Sequence, residues 1–172
     1  MANLGANLGD SLFKVGDRAV YPAHGVAEVV AVESREISGA RKDFYILKVV
    51  NSEMKLMIPV DGAERTGLRG VVTAEVAEQV FDILKAHEIA VKPGPWNRRF
   101  REYTELVNSG NLTEVAKVYR DLWRIRPDRE LSYGERRLLE QSKNLLVAEL
   151  ALVRACERAL IEIALEGAVA LA

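Results

Sequence analysis

The chain has 172 residues, 49% hydrophobic and 28% charged, and its 24 Lys and Arg against 25 Asp and Glu leave a formal net charge of −1. That length bounds it to one domain or two small ones. The mixture excludes a disordered tail, a collagen-like repeat and a disulfide-stapled miniprotein, and near-neutrality argues against coating nucleic acid by bulk positive charge.

Residues 1–12 begin with a Gly- and Asn-rich stretch and are expected to form a flexible tail. From Phe13 to about Val72 the pattern is strand-like. Arg18 to Pro22 leads into the turn Ala23-His24-Gly25, and Val26 to Ile37 forms a long β-branched run. Ser38-Gly39-Ala40 supplies a turn, Phe44 to Val50 a third strand, Asn51-Ser52-Glu53 another turn and Met54 to Val60 a fourth strand. Short strands at near-regular spacing predict a small antiparallel sheet or barrel. Pro59 places the last strand at an edge, where a missing N–H is tolerated.

After Val72 the apolar spacing becomes helical. Thr73 caps a predicted helix through His87, with Val76, Val80, Phe81 and Leu84 on its apolar face. Lys92-Pro93-Gly94-Pro95 breaks the chain, and Pro95 suits the first turn of a second helix that Gly110 closes. Asn111 opens a third helix, stopped near Pro127, and Ser132 with Glu135 forms a capping box for a fourth. A fifth helix is expected, with no visible break before it. The predicted layout is thus α+β, with 13–72 a small β domain and 73–172 an all-α domain.

The neutral total conceals a division. Residues 1–91 carry 10 basic and 13 acidic side chains (−3), residues 92–144 carry 12 and 8 (+4), and residues 145–172 carry 2 and 4 (−2). Cys156 is the sole cysteine, so no intrachain disulfide or cysteine-based zinc site is expected, and a small apolar packing role is. No apolar run reaches membrane-spanning length and the start lacks the pattern of a signal peptide, so a cytoplasmic location is expected.

Catalytic signals are scarce. His24 and His87 are the only histidines, and no phosphate-cradling glycine loop, dinucleotide fingerprint or zinc-protease motif is present. The reading is of a protein that is not an enzyme and holds no cofactor or metal. The segment Pro95-Trp96-Asn97-Arg98-Arg99-Phe100-Arg101 stands out. Trp96 and Arg99 share a helix face, Arg98 and Arg101 form a neighbouring row, and Phe100 is the better core candidate. Arginine forks at a helix N-terminus suit phosphate oxygens, with Trp96 as an apolar wedge. The alternative is a solvated basic face with Trp96 in the core. Trp123, mid-helix, is expected in the core; Tyr133, beside its cap, is a candidate exposed aromatic. Arg120, Arg124, Arg136 and Arg137 are expected to serve structure.

FKVGDRAVYPAHGVAEV, MIPV and GLR, followed by WNRRFREY, EVAKVYRDLW and LSYGERRLLEQSKNLLVAEL, resemble the CarD/CdnL family of bacterial transcription regulators in matching order. The resemblance runs from about Phe13 to Leu152. It implies a Tudor-like N-terminal barrel that binds the β subunit of RNA polymerase, as in transcription-repair coupling factors. It also implies a helical domain that contacts promoter DNA at the upstream edge of the melted −10 region. Such proteins act with holoenzyme containing the housekeeping σ factor, stabilise the open complex and are not enzymes. Residue by residue, the family's wedge tryptophan aligns with Trp96, its basic neighbours with Arg98, Arg99 and Arg101, and an exposed aromatic with Tyr133. Arg35, Ile37, Met57 and Pro59 align with polymerase-binding positions. A monomer is expected. The alternative is a protein-binding adaptor with no functional DNA contact.

Overall fold

The structure, a computed structural model, describes residues 12–171; the predicted tail therefore lies outside the described residues except for Leu12. Strands β1 (Arg18–Tyr21), β2 (Gly25–Ile37), β3 (Ala40–Val49) and β4 (Lys55–Pro59) pair in sequence order, every pair antiparallel. After β4 a single 3-10 turn at Ala63–Thr66 brings the chain round. Arg69 then exchanges both backbone hydrogen bonds with Val20 (2.8 and 3.0 Å), curling the sheet into a half-barrel. Ala19, Ala27, Val29, Tyr45, Leu47 and Ile58 fill its concave face. β4 lies at the free edge, as Pro59 requires.

Two local features of the backbone set the sheet's geometry. Ser38 and Gly39 both take positive φ (52° and 79°), the requirement of a tight two-residue hairpin turn. Ala40 therefore belongs to β3, and that strand begins four residues before the predicted Phe44. The pairing of β2 with β3 shifts register between Val29 and Ala31, a bulge at Val30. Before it, Ala27 and Val29 point into the core; after it, Val32 does, and Glu33, Arg35 and Ile37 fall on the opposite face.

Five helices follow: α1 (Ala74–Lys85), α2 (Trp96–Asn108), α3 (Leu112–Ile125), α4 (Tyr133–Arg154) and α5 (Arg158–Ala170). Thr73 Oγ1 accepts the Val76 N–H, Asn111 Oδ1 accepts that of Thr113, and Ser132 and Glu135 form the reciprocal capping box. α1 stops two residues short of His87, where Ala86 turns extended. Pro95 occupies the N-cap rather than the first turn, its φ of −56° leading directly into α2. The break between the last two helices falls at Ala155, left-handed at φ 48°. The Cys156 N–H reaches back to the Ala151 carbonyl, closing a Schellman-type end. That end normally carries glycine, so an alanine leaves no trace of it in the residue pattern. Leu84, Val115, Tyr119, Leu146, Leu150 and Leu165 form the main helical core, against which Trp123 and Cys156 are half-buried; Tyr103, Val107, Val118 and Leu122 centre a second.

Candidate docking and nucleic-acid surfaces

The register brings the four sheet residues together. Directly paired residues share a face, and the rows are Ala31–Ile46–Met57, Glu33–Phe44–Pro59, Arg35–Lys42 and Ile37–Ala40. Arg35, Ile37, Met57 and Pro59 therefore lie on one side of the sheet, away from its core. Ile37 and Met57 are 42% and 45% exposed, a large share for apolar side chains. Arg35 pairs with Glu33 at 3.0 Å, two positions back along the same face. Half-buried Ile46 and buried Phe44 (6% exposed) lie on this face between its two halves. Sequence reasoning missed them because only the pairing register shows which of β3's alternate residues face outward. β4, paired on one side only, leaves its outer edge open to a further strand.

The second surface forms where the start of α2 meets the start of α4. Trp96 is half-buried, its ring 5.4 Å from that of Phe100 and tilted by 53°. Both rings press on Gly134: a Cβ there would stand 3.3 Å from Trp96 Cζ2 and 3.3 Å from Phe100 Cε2. Tyr133, 74% exposed, sits beside them in the first turn of α4. Neither Phe100 nor Gly134 was a predicted site residue. Phe100 is corrected from core candidate to exposed surface. α2 buries the row Tyr103–Val107, with Arg99 one turn before it, and Phe100 falls one position off that row.

The three arginines differ in their commitments. Arg99 lies over the rings of Trp96 (5.8 Å) and Tyr103 (5.9 Å) and approaches Glu135 at 4.0 Å, so it props the indole from behind. Arg98 is exposed but donates to the carbonyls of Lys92 and Pro93 and pairs with Glu102 at 3.4 Å, fastening the loop before α2. Arg101 is exposed and makes no ion pair among the described residues. Farther back, Arg120 binds Asp121 and Arg124 donates to the carbonyls of Leu84 and Ala86; Arg136, exposed near the start of α4, donates to the carbonyl of Leu131. These three serve structure, as their pairing potential suggests.

Two buried carboxylates hold this region. Asp121 Oδ2 accepts the N–H groups of Ala90 and Val91 and the Tyr103 hydroxyl, anchoring the chain after α1. Burial raises the Asp121 carboxyl, although Arg120 and the two N–H bonds oppose it. Glu135, 1% exposed, accepts both terminal nitrogens of Arg129 and the Ser132 N–H. The Arg129 hydrogen bond, chiefly, brings its carboxyl down to about 2. A folded-state value depressed from 4.5 contributes stability above the unfolded value that is lost as pH falls toward about 2. A shift of that size corresponds to about 3 kcal/mol. Asp121 acts in the opposite sense, because its raised value favours the folded state as pH falls. Urea unfolding from pH 7 to pH 3 should therefore show a shallower acid loss in Glu135→Gln than in the parent. An equal slope would show that Glu135 does not carry it.

The surface around Trp96 is thus three aromatic side chains where two helix starts meet, backed by a fixed cation, Arg99, with Arg101 exposed on the same helix as Trp96. It can stack on or wedge between bases and neutralise a phosphate. No group of three or more His, Cys, Asp and Glu among the described residues could hold a metal, and no described helix is long and apolar enough to cross a membrane.

Family models match both parts of the chain: the CarD-like/TRCF RID domain over residues 13–72 and the CarD C-terminal domain over residues 79–166. YdeB of Bacillus subtilis (strain 168), which carries a transcription-factor designation, is 27% identical over 143 residues, covering 83% of this chain and 93% of its own. Among solved structures, CdnLNt from Myxococcus xanthus is 36% identical, with a TM-score of 0.30, covering 42% of this chain and 94% of that one.

Proposed function

Since the chain belongs to the CarD/CdnL family of transcription factors, we propose that it docks on the RNA polymerase β subunit through residues 13–72 and contacts promoter DNA through residues 73–172. On this reading Arg35, Ile37, Met57 and Pro59 meet the polymerase. The open edge of β4 extends the partner's sheet, backbone bonds giving affinity and these side chains specificity. Trp96 with Tyr133 meets the upstream edge of the −10 bubble, Arg101 and Arg98 meet phosphates, and Arg99 meets DNA only with its outer edge. The contact favours melted over closed DNA and so stabilises the open complex formed with the housekeeping σ factor. The protein works as a monomer in the bacterial cytoplasm, held at the nucleoid through the polymerase. It regulates rather than catalyses.

The observation that supports the DNA contact best is the aromatic cluster at the Gly134 seat: large rings at a basic helix start, left open to solvent. A modest patch binds DNA weakly alone, and tethering to polymerase raises its effective concentration. The inward engagement of Arg99 and the internal bonds of Arg98 favour a second reading, an adaptor without functional DNA contact. Adding the full chain to holoenzyme on a weak promoter separates them. A longer open-complex lifetime whose gain shrinks as salt rises supports DNA contact, whereas polymerase binding with an unchanged lifetime supports the adaptor.

A further inference from the structure

The joint between the half-barrel and the helices is built more tightly than a tether requires. Glu149, 2% exposed and deep in α4, accepts Nη1 and Nη2 of Arg69 at 2.6 and 3.0 Å, and its Oε1 also accepts the Val72 N–H at 2.9 Å. Arg69 Nε donates to the Gly110 carbonyl, between α2 and α3, at 2.8 Å. The same residue is paired through its backbone with Val20 of β1. One side chain therefore ties the sheet, the α2–α3 turn and α4.

Beside it the Pro22 ring is clasped by two glycines. A Cβ on Gly67 would fall 2.5 Å from Pro22 Cγ and one on Gly110 3.1 Å from the same atom, and both glycines have positive φ. Gly25 approaches Leu145 so closely that a Cβ would stand 2.8 Å from its Cδ2. The free space among Val20, Tyr21, Leu145 and Glu149 is only about 20 Å³, room for roughly one water.

We propose that Arg69 and Glu149 are positioning residues: they hold the Trp96 surface at a set distance and angle from the sheet's docking face. Polymerase binding then delivers the wedge oriented. The inference rests on the function proposed above. A loose linker supplies concentration alone, whereas a fixed joint also removes the orientational cost of meeting the DNA. The alternative is that the charge pair contributes only to stability, and a buried pair often contributes little there.

The test uses the full chain with spin labels at Glu53→Cys and Asn108→Cys, both on exposed positions, in a Cys156→Ser background. The parent should give one narrow distance distribution. Arg69→Met should broaden it, leave pull-down by the polymerase β subunit unchanged, and cut the gain in open-complex lifetime by roughly tenfold, below the roughly hundredfold that a misplacement of about 1 Å can cost a reacting group. Arg69→Lys, which keeps the charge and loses the fork, should fall between. Glu149→Gln, which keeps the shape without the charge, serves if Arg69→Met fails to fold. A distribution that stays narrow in the folded variants, or one that broadens while the lifetime gain persists, overturns the proposal. A parent chain that binds polymerase without lengthening the open complex overturns the function on which it rests, whatever the distances show.

Discussion

Trp96→Ala is expected to leave the protein bound to polymerase and to shorten the open complex on a weak promoter by about tenfold. Stacking of one aromatic on a base contributes about 1–3 kcal/mol, and ~1.4 kcal/mol changes an equilibrium tenfold. The ring is already immobilised, between Arg99 on one side and the Gly134 seat on the other, so little ordering entropy is lost on contact. Trp96→Phe should retain part of the effect. Gly134→Val offers an independent route, since its Cβ meets both Trp96 and Phe100 at 3.3 Å and must displace them without deleting either ring. Filter-binding decay after competitor challenge reads the lifetime. If Trp96→Ala decays as the parent does, the indole is not the wedge.

Arg35→Glu should abolish capture by the polymerase β subunit. Arg35 stands near the tip of the long β2–β3 hairpin, with Glu33 at 3.0 Å on the same face. Reversing its charge replaces an ion pair with two carboxylates on that face. Like charges brought together across an interface cost several kcal/mol, enough for a drop in affinity of at least about tenfold. Arg41→Glu is the control: Arg41 pairs with Glu36 and lies on the other side of the same hairpin. A pull-down that loses Arg35→Glu and keeps Arg41→Glu identifies the face. Equal loss of both would reduce the result to net charge, and retention of Arg35→Glu would remove this face from the docking assignment.

What could be read from the residues was mostly what is local. Thr73, Asn111, Ser132 and Glu135 cap helices because their side chains reach N–H groups two or three residues away, and that reach is visible as spacing. The four strands and the edge position of Pro59 were likewise legible. The helix end at Ala155 was not, because a left-handed alanine is held there by its surroundings rather than by intrinsic preference. The burial of Tyr103 and exposure of Phe100 depend on which stripe of α2 meets α3 and α4, a tertiary choice that helical period alone leaves open. For the same reason the arginines looked alike as letters. Only the presence of Glu135, Tyr103 and the loop carbonyls separates the inward Arg99 from the open Arg101.

The bulge at Val30 makes the proposed docking face depend on chain length as well as on side chains. Were Val30 paired in register instead of bulged out, strict alternation would rotate everything beyond it by half a period. Arg35 and Ile37 would then turn toward the core, and Ser34 and Glu36 toward the partner. In a relative whose β2 lacks the extra residue, equivalence must be counted from the hairpin turn at Ser38 and Gly39 backwards. Counting forward from the first strand would match each contact residue with its neighbour.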